Sequence, residues 1–214
     1  MGVILAWIFC SGKCYTDPMT LTGLLILIVS IIAHEVAHGI AALWQGDPTA
    51  KDAGRLTLNP IPHIDPIGSV FLPILFTLSG SPIMFGWAKP VPINPYNFKN
   101  QRFGEAFVAA AGPLTNIIIA AVFLAILKTA IIGEFMVNFC AIAVVINVVL
   151  ALFNLMPIPP LDGSKILFSL IPQRFYGFRR WMEQKGFLVG LVVVLLMWQV
   201  ISPAVVKFLG ILLG

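Results

Sequence analysis

The sequence predicts an all-α integral membrane protein of about four transmembrane helices, with a re-entrant hairpin carrying short β segments, organised as one domain over residues 1–214. Three observations predict it. The chain is 59% hydrophobic and 10% charged with a mean hydropathy of +0.97, too little polar surface to cover a soluble core of this size. Its apolar residues gather in runs at 21–44, 67–85, 104–127, 131–156 and 187–212, most of them near the length that crosses a bilayer. The run at 67–85 is interrupted by Pro73 and by Ser79-Gly80-Ser81-Pro82, the breaks that a hairpin entering and leaving on one side requires.

Taken in order, the first nine residues are apolar but too short to span, and Lys13 follows them where a cleavable signal peptide would place its basic residues first. They are expected to cap or graze the membrane surface. Cys10 and Cys14 lie four apart and Cys140 falls in an expected helix, so neither a zinc ribbon nor a disulfide framework is predicted. The run 21–44 reads as the first crossing. In Gly86-Trp87-Ala88-Lys89-Pro90-Val91-Pro92-Ile93-Asn94 the alternating prolines forbid a central strand and suit an edge, one that could pair with an incoming peptide or serve only as a rigid cap on the hairpin. The runs 104–127 and 131–156 form an antiparallel pair. After them Pro157, Pro159 and Pro160 break the chain before Leu161-Asp162-Gly163, and the run 187–212 supplies the last crossing.

Ionisable residues interrupt this apolar pattern at an informative place. His34-Glu35-Val36-Ala37-His38 lies inside the first run, and an unpaired ionisable group at the bilayer centre costs about 2.5–3.5 kcal/mol. A metal would account for all three. Residues four apart share a helix face, so His34 and His38 can converge on one zinc ion while Glu35, alongside, handles the protons of a water. The best third ligand is Asp162, because a carboxylate beside a proline-broken helix must face protein or a wet cavity. Asp65, Glu105 and His63 are rival ligands, and a turn or N-cap role is the plain alternative for Asp162. Asn116 follows Gly112 by one turn, and the small run Ala109-Ala110-Ala111-Gly112 lets its helix approach a neighbour closely enough for the amide to reach the site. Asn147 and Asn154, seven apart, share an interior stripe, with interhelical hydrogen bonding as the plain role of Asn116 and Asn147.

For His34 and Asp162 to share one metal, their segments must run toward the same face, so the chain from 45 to 103 must begin and end on one side. Loops 45–103 and 157–186 then hold ten of the thirteen basic residues, which makes them cytoplasmic and puts the site nearer that face of the cell membrane. Five crossings divide the charges nine against four, so charge alone hardly separates the two topologies. The formal charge of +4 is scattered through loops without a basic face, and no nucleic-acid partner is expected.

HEVAHG with NLMPIPPLDG resembles the two signatures of the site-2 protease family of intramembrane zinc metalloproteases. Gly112-Pro113-Leu114-Thr115-Asn116 is similar to that family's middle motif, and GDPTAKDAGRLTLNPIPHIDPIG with GWAKPVPINP is similar to its short prokaryotic branch lacking a PDZ domain. The resemblance implies a three-helix catalytic core, one zinc ion bound by His34, His38 and Asp162, Glu35 as the catalytic acid-base residue and a transmembrane protein as substrate, as in regulated intramembrane proteolysis. Asn154 resembles the asparagine heading the family motif and is expected to polarise or anchor the scissile peptide, with Asn116 a further catalytic candidate. Against this stand a protease-like protein that binds membrane proteins without cutting them, which intact Glu35 disfavours, and a zinc transporter, which needs ligands at successive depths. A prenylated-protein type of membrane protease would take a downstream glutamate where this chain offers Asp162.

Overall fold

The computed structural model describes residues 18–79, 87–100, 103–129, 133–171, 177–182, 184–186 and 207. Three long helices dominate them: α1 Pro18–Trp44, α4 Phe103–Leu127 and α5 Glu134–Asn154. At 27, 25 and 21 residues they measure about 40, 38 and 32 Å, and each is long and apolar enough to cross a membrane. The short α2 Thr49–Asp52 and α3 Leu72–Leu78 lie between α1 and α4, and α6 Asp162–Leu170 follows α5. Many large apolar side chains point outward, among them Leu25, Val29, Ile118, Val122 and Phe135, as expected of helices facing lipid.

The long helices pack against one another, and the contacts fix their directions. His38 and His34 of α1 meet Val108 and Asn116 of α4, so those two run antiparallel. Asn116 and Phe123 of α4 meet Asn147 and Phe139 of α5, again antiparallel. Gly23 and Ser30 of α1 meet Ile142 and Asn147 of α5, so α1 and α5 are parallel. The end of α5 therefore reaches the level of the α1 histidines, and α6, packed on α4, begins there.

Helix α1 ends at Trp44, and two residues on Gly46, with a φ of +102°, turns the chain without the steric cost a side chain would meet. The connection to α4 then comes back to its starting point: Lys99 donates its backbone N–H to Gln45 O at 2.8 Å. On the way Asp47, fully buried, accepts from the backbone N–H of Asn94 at 2.7 Å, from the Asn97 amide at 2.8 Å and from the Thr49 hydroxyl. Burial alone would push the Asp47 carboxyl up, but the hydrogen bonds from Thr49, Asn94 and Asn97 outweigh it and hold it below the usual carboxylate range. A depressed folded pKa stabilises the fold above the unfolded value of about 3.9 and loses that contribution as pH falls through the folded value. Asp47→Asn is therefore expected to flatten the acid limb of a melting-temperature profile below about pH 4. An acid limb identical to that of the unsubstituted protein would remove Asp47 as its source.

Among the described residues there is no strand. The 67–85 run opens with a π-helical turn, Pro66–Phe71, capped by the Asp65 carboxylate, which accepts from the N–H groups of Ile67 and Gly68, and continues into α3. The return of the expected hairpin, 80–86, lies outside the described residues, as do the N-terminal apolar segment and the last apolar run. Residues 87–94 form neither helix nor strand. Pro90 and Pro92 have no N–H to give, and the N–H groups of Trp87, Lys89, Val91 and Asn94 go to Gly68 O, His63 O, the Glu35 carboxylate and Asp47. Those four amides hold the segment against Glu35 of α1 and against the loop that follows α1.

Candidate metal centre

His34, His38 and Asp162 are buried together, each offering one ligand atom, with those atoms within 4.8 Å of one another. His34 Nε2 and His38 Nε2 are 3.1 Å apart, and Asp162 Oδ2 stands 3.1 Å from the first and 3.2 Å from the second. The histidines meet because they are one helical turn apart on α1. Asp162 arrives from the first turn of α6, where the N-cap is Leu161 and no side chain caps the helix, so its carboxylate is not spent on the turn. Gly163 makes that arrival possible, since a Cβ there would strike the Leu155 carbonyl.

The donor set itself fits a cation. His38 Nδ1 lies 2.7 Å from Val108 O, a carbonyl that can only accept, so Nδ1 carries the proton and Nε2 presents its lone pair. His34 Nδ1 lies 2.6 Å from Asn116 Oδ1 and is likewise the donor, leaving its Nε2 as an acceptor. Two lone pairs and a carboxylate oxygen thus face one another at 3.1–3.2 Å without a hydrogen to share. Only a cation or a proton relieves that repulsion. Four ligands placed tetrahedrally at about 2.0–2.1 Å from zinc stand roughly 3.3–3.4 Å apart, close to the spacing seen. Gly112 of α4 forms the wall of this cradle, where a Cβ would lie 2.6 Å from His34 Nε2 and from His38 Nε2.

Glu35 sits beside the group, 2% exposed. Its Oε2 accepts the Val91 N–H at 2.9 Å, while Oε1 is buried with no hydrogen-bond partner among the described residues, a costly arrangement that suits an oxygen meant to take a proton. The Val91 amide is aimed by Arg55, which donates through one nitrogen to Lys89 O at 2.7 Å and to Pro90 O at 3.3 Å. Burial pulls the Arg55 guanidinium below its usual range, and the charge of Glu35 opposes that pull. Gly39 lets the loop seat on α1, since a Cβ there would strike Leu56. Removing the cation by Arg55→Met is expected to cost about 1.5–3 kcal/mol and to speed amide hydrogen exchange across 87–94. Exchange unchanged in that segment would show that Arg55 does not hold it.

Other expected residues fall elsewhere. Asn116 is fully buried, but its oxygen meets His34 at the ring nitrogen away from Asp162, so it stands behind a ligand. Asn154, 2% exposed, donates to Leu150 O at 2.9 Å within its own helix, and no described hydrogen bond ties it to the three ligands. The rival ligands are engaged otherwise: Asp65 caps the π-helical turn, Glu105 pairs with Arg179 at 3.2 Å, and His63 Nε2 lies 3.0 Å from Thr57 O. The sequence reading did not single out Ser30, Asp47, Arg55 or the Val91 amide. Ser30 lies one helical turn before His34 and was findable by that spacing; the others lie in a loop with no periodicity to read.

Known proteins resemble this chain over most of its length. The profile of peptidase family M50 matches residues 128–197. YwhC of Bacillus subtilis, named as a candidate zinc metalloprotease, is 42% identical over 186 residues, covering 82% of this chain and 81% of that protein. Rip2 of Mycolicibacterium smegmatis, named in the same way, is 30% identical over 210 residues, 95% of this chain and 76% of its own. MJ0611 of Methanocaldococcus jannaschii, also so named, is 42% identical over a shorter stretch of 87 residues, 40% of this chain and 46% of its own. No solved structure matches the chain. With three bilayer-length apolar helices, two imidazoles and a carboxylate gathered among them, and a relative matched over four-fifths of both lengths, this membrane protein belongs to peptidase family M50, the site-2 protease family.

Proposed function

We propose that this protein is an intramembrane zinc metalloprotease that hydrolyses peptide bonds in or near transmembrane segments of other membrane proteins, as in regulated intramembrane proteolysis. The observation that carries the reading is the buried meeting of three acceptor atoms from His34, His38 and Asp162 beside a carboxylate oxygen, Glu35 Oε1, that has no partner among the described residues. His34, His38 and Asp162 would hold one zinc ion. Zinc in such a site supplies Lewis acidity and lowers the pKa of a water ligand to roughly 7.

Glu35 Oε1 takes a proton from the attacking water and later gives it to the leaving amine nitrogen, while the Val91 N–H on Oε2 keeps the carboxylate turned. Asn154 anchors or polarises the scissile peptide from the end of α5. A helical substrate hides its carbonyls in its own hydrogen bonds, so local unwinding precedes attack and substrates with helix-weakening residues are preferred. Four crossings, a re-entrant hairpin over 67–85 and basic loops in the cytoplasm would place the site nearer the cytoplasmic face of the cell membrane. The segment 87–94 already gives the N–H groups of Trp87, Lys89, Val91 and Asn94 to its own chain, so a recruiting role through those four amides requires their displacement.

The test is a catalogue of membrane proteins that accumulate, by mass spectrometry, in cells carrying Glu35→Gln, followed by cleavage of those candidates by purified protein before and after chelation. The expected result is a small set cut within a transmembrane segment and protected by chelator. Candidates that the purified protein cuts equally well without metal would overturn the reading.

A further inference from the structure

Behind the metal centre lies a file of polar side chains in the apolar interface of the three long helices. Ser30 of α1, Asn116 of α4 and Asn147 of α5 are 2%, 0% and 0% exposed. Asn147 Nδ2 donates to Ala143 O and to Ser30 Oγ, both at 2.9 Å, and Asn147 Oδ1 accepts from Asn116 Nδ2 at 2.9 Å. Asn116 Oδ1 in turn accepts from His34 Nδ1 at 2.6 Å.

An amide is nearly symmetric in shape, so what matters is which end points where. The Ala143 carbonyl settles the first amide, because it can only accept and must face an NH2 group. That turns Asn147 Oδ1 toward Asn116, which must answer with its own NH2, and Asn116 Oδ1 is left for the histidine. A weaker constraint agrees: the backbone carbonyl of Ser30, another acceptor, stands 3.5 Å from Asn116 Nδ2. Both amide NH2 groups in the file point away from His34, so a proton on Nδ1 is the state that fits, and the Nε2 lone pair faces Asp162 and His38.

We infer that Asn147, through Asn116, is a positioning residue that sets the tautomer of His34 from α5 and so keeps Nε2 free for the metal. This rests on the metal-binding part of the function proposed above. Asn147 touches no ligand; it acts by denying Asn116 the flipped orientation in which an NH2 group would confront Nδ1. His38 needs no such device, since the Val108 carbonyl imposes its tautomer directly.

The test is a double-mutant cycle read as zinc affinity, by chelator competition in detergent, without any cleavage assay. Asn147→Leu is expected to weaken zinc roughly tenfold when residue 116 is asparagine, because its amide can then turn. In the Asn116→Ala background no amide stands between Asn147 and His34, and Asn147→Leu is expected to change affinity by less than about threefold. The same loss in both backgrounds, or none in the first, overturns the relay by making Asn147 a packing residue. Should the leucine variant not fold, the same cycle run with Asn147→Ala decides by the same two outcomes. An unsubstituted protein that binds no zinc overturns the metal reading itself, an outcome distinct from zinc bound without coupling between residues 116 and 147.

Discussion

Replacing Glu35 with glutamine is expected to lower peptide cleavage by roughly 10²–10⁴-fold, the range that general acid-base catalysis contributes, with zinc still bound. Glu35 is not one of the three converging ligands, so the metal has no reason to leave. Glutamine can also keep the local structure. Its carbonyl oxygen can accept the Val91 N–H as Oε2 does at 2.9 Å, which puts an NH2 group where the unpartnered Oε1 now stands. That group cannot take a proton from water. Rates on a reconstituted transmembrane substrate, measured beside metal content, check both halves of the expectation. Cleavage near the unsubstituted rate would remove Glu35 as the base, and zinc lost in step with activity would make it a ligand.

Gly112→Ala is expected to weaken zinc by about fivefold to 150-fold, the equivalent of the roughly 1–3 kcal/mol that overpacking a tight site costs. The added methyl would sit 2.6 Å from His34 Cε1, His34 Nε2 and His38 Nε2, nearly an ångström inside ordinary contact. Neither ring can yield alone: His34 is held behind by Asn116 at 2.6 Å and His38 by Val108 O at 2.7 Å. Either α4 withdraws or both ligands turn away, and each response spoils the spacing of the three atoms. Chelator competition measures the loss. Unchanged affinity would mean that α4 does not bound the metal site.

Much of this was open to inspection in the chain. Lipid-facing helices follow from composition and run length, and α1, α4 and α5 lie within two or three residues of the runs that suggested them. The pairing of His34 with His38 is a matter of helical periodicity. The small residues before Gly112 announced a close approach, which the Cβ contacts there display. Residues 86–94 were harder, because alternating prolines state what a segment cannot do without stating what it leans on. The amides of Trp87, Lys89, Val91 and Asn94 go to Glu35, Asp47 and nearby carbonyls, and no local pattern encodes such partners.

By itself the sequence determined that apolar helices surround a histidine pair and that a proline-broken segment ends in an aspartate, because backbone geometry converts spacing into faces and composition into solvent preference. The tertiary structure alone decided that Asp162 closes on those histidines across more than 120 positions, that Asn116 stands behind His34, and that the Val91 amide rests on Glu35. Such meetings depend on helix separations and rotations of an ångström or less. Those are set by the summed packing of residues far apart in the chain, and a period of 3.6 residues carries no information about them.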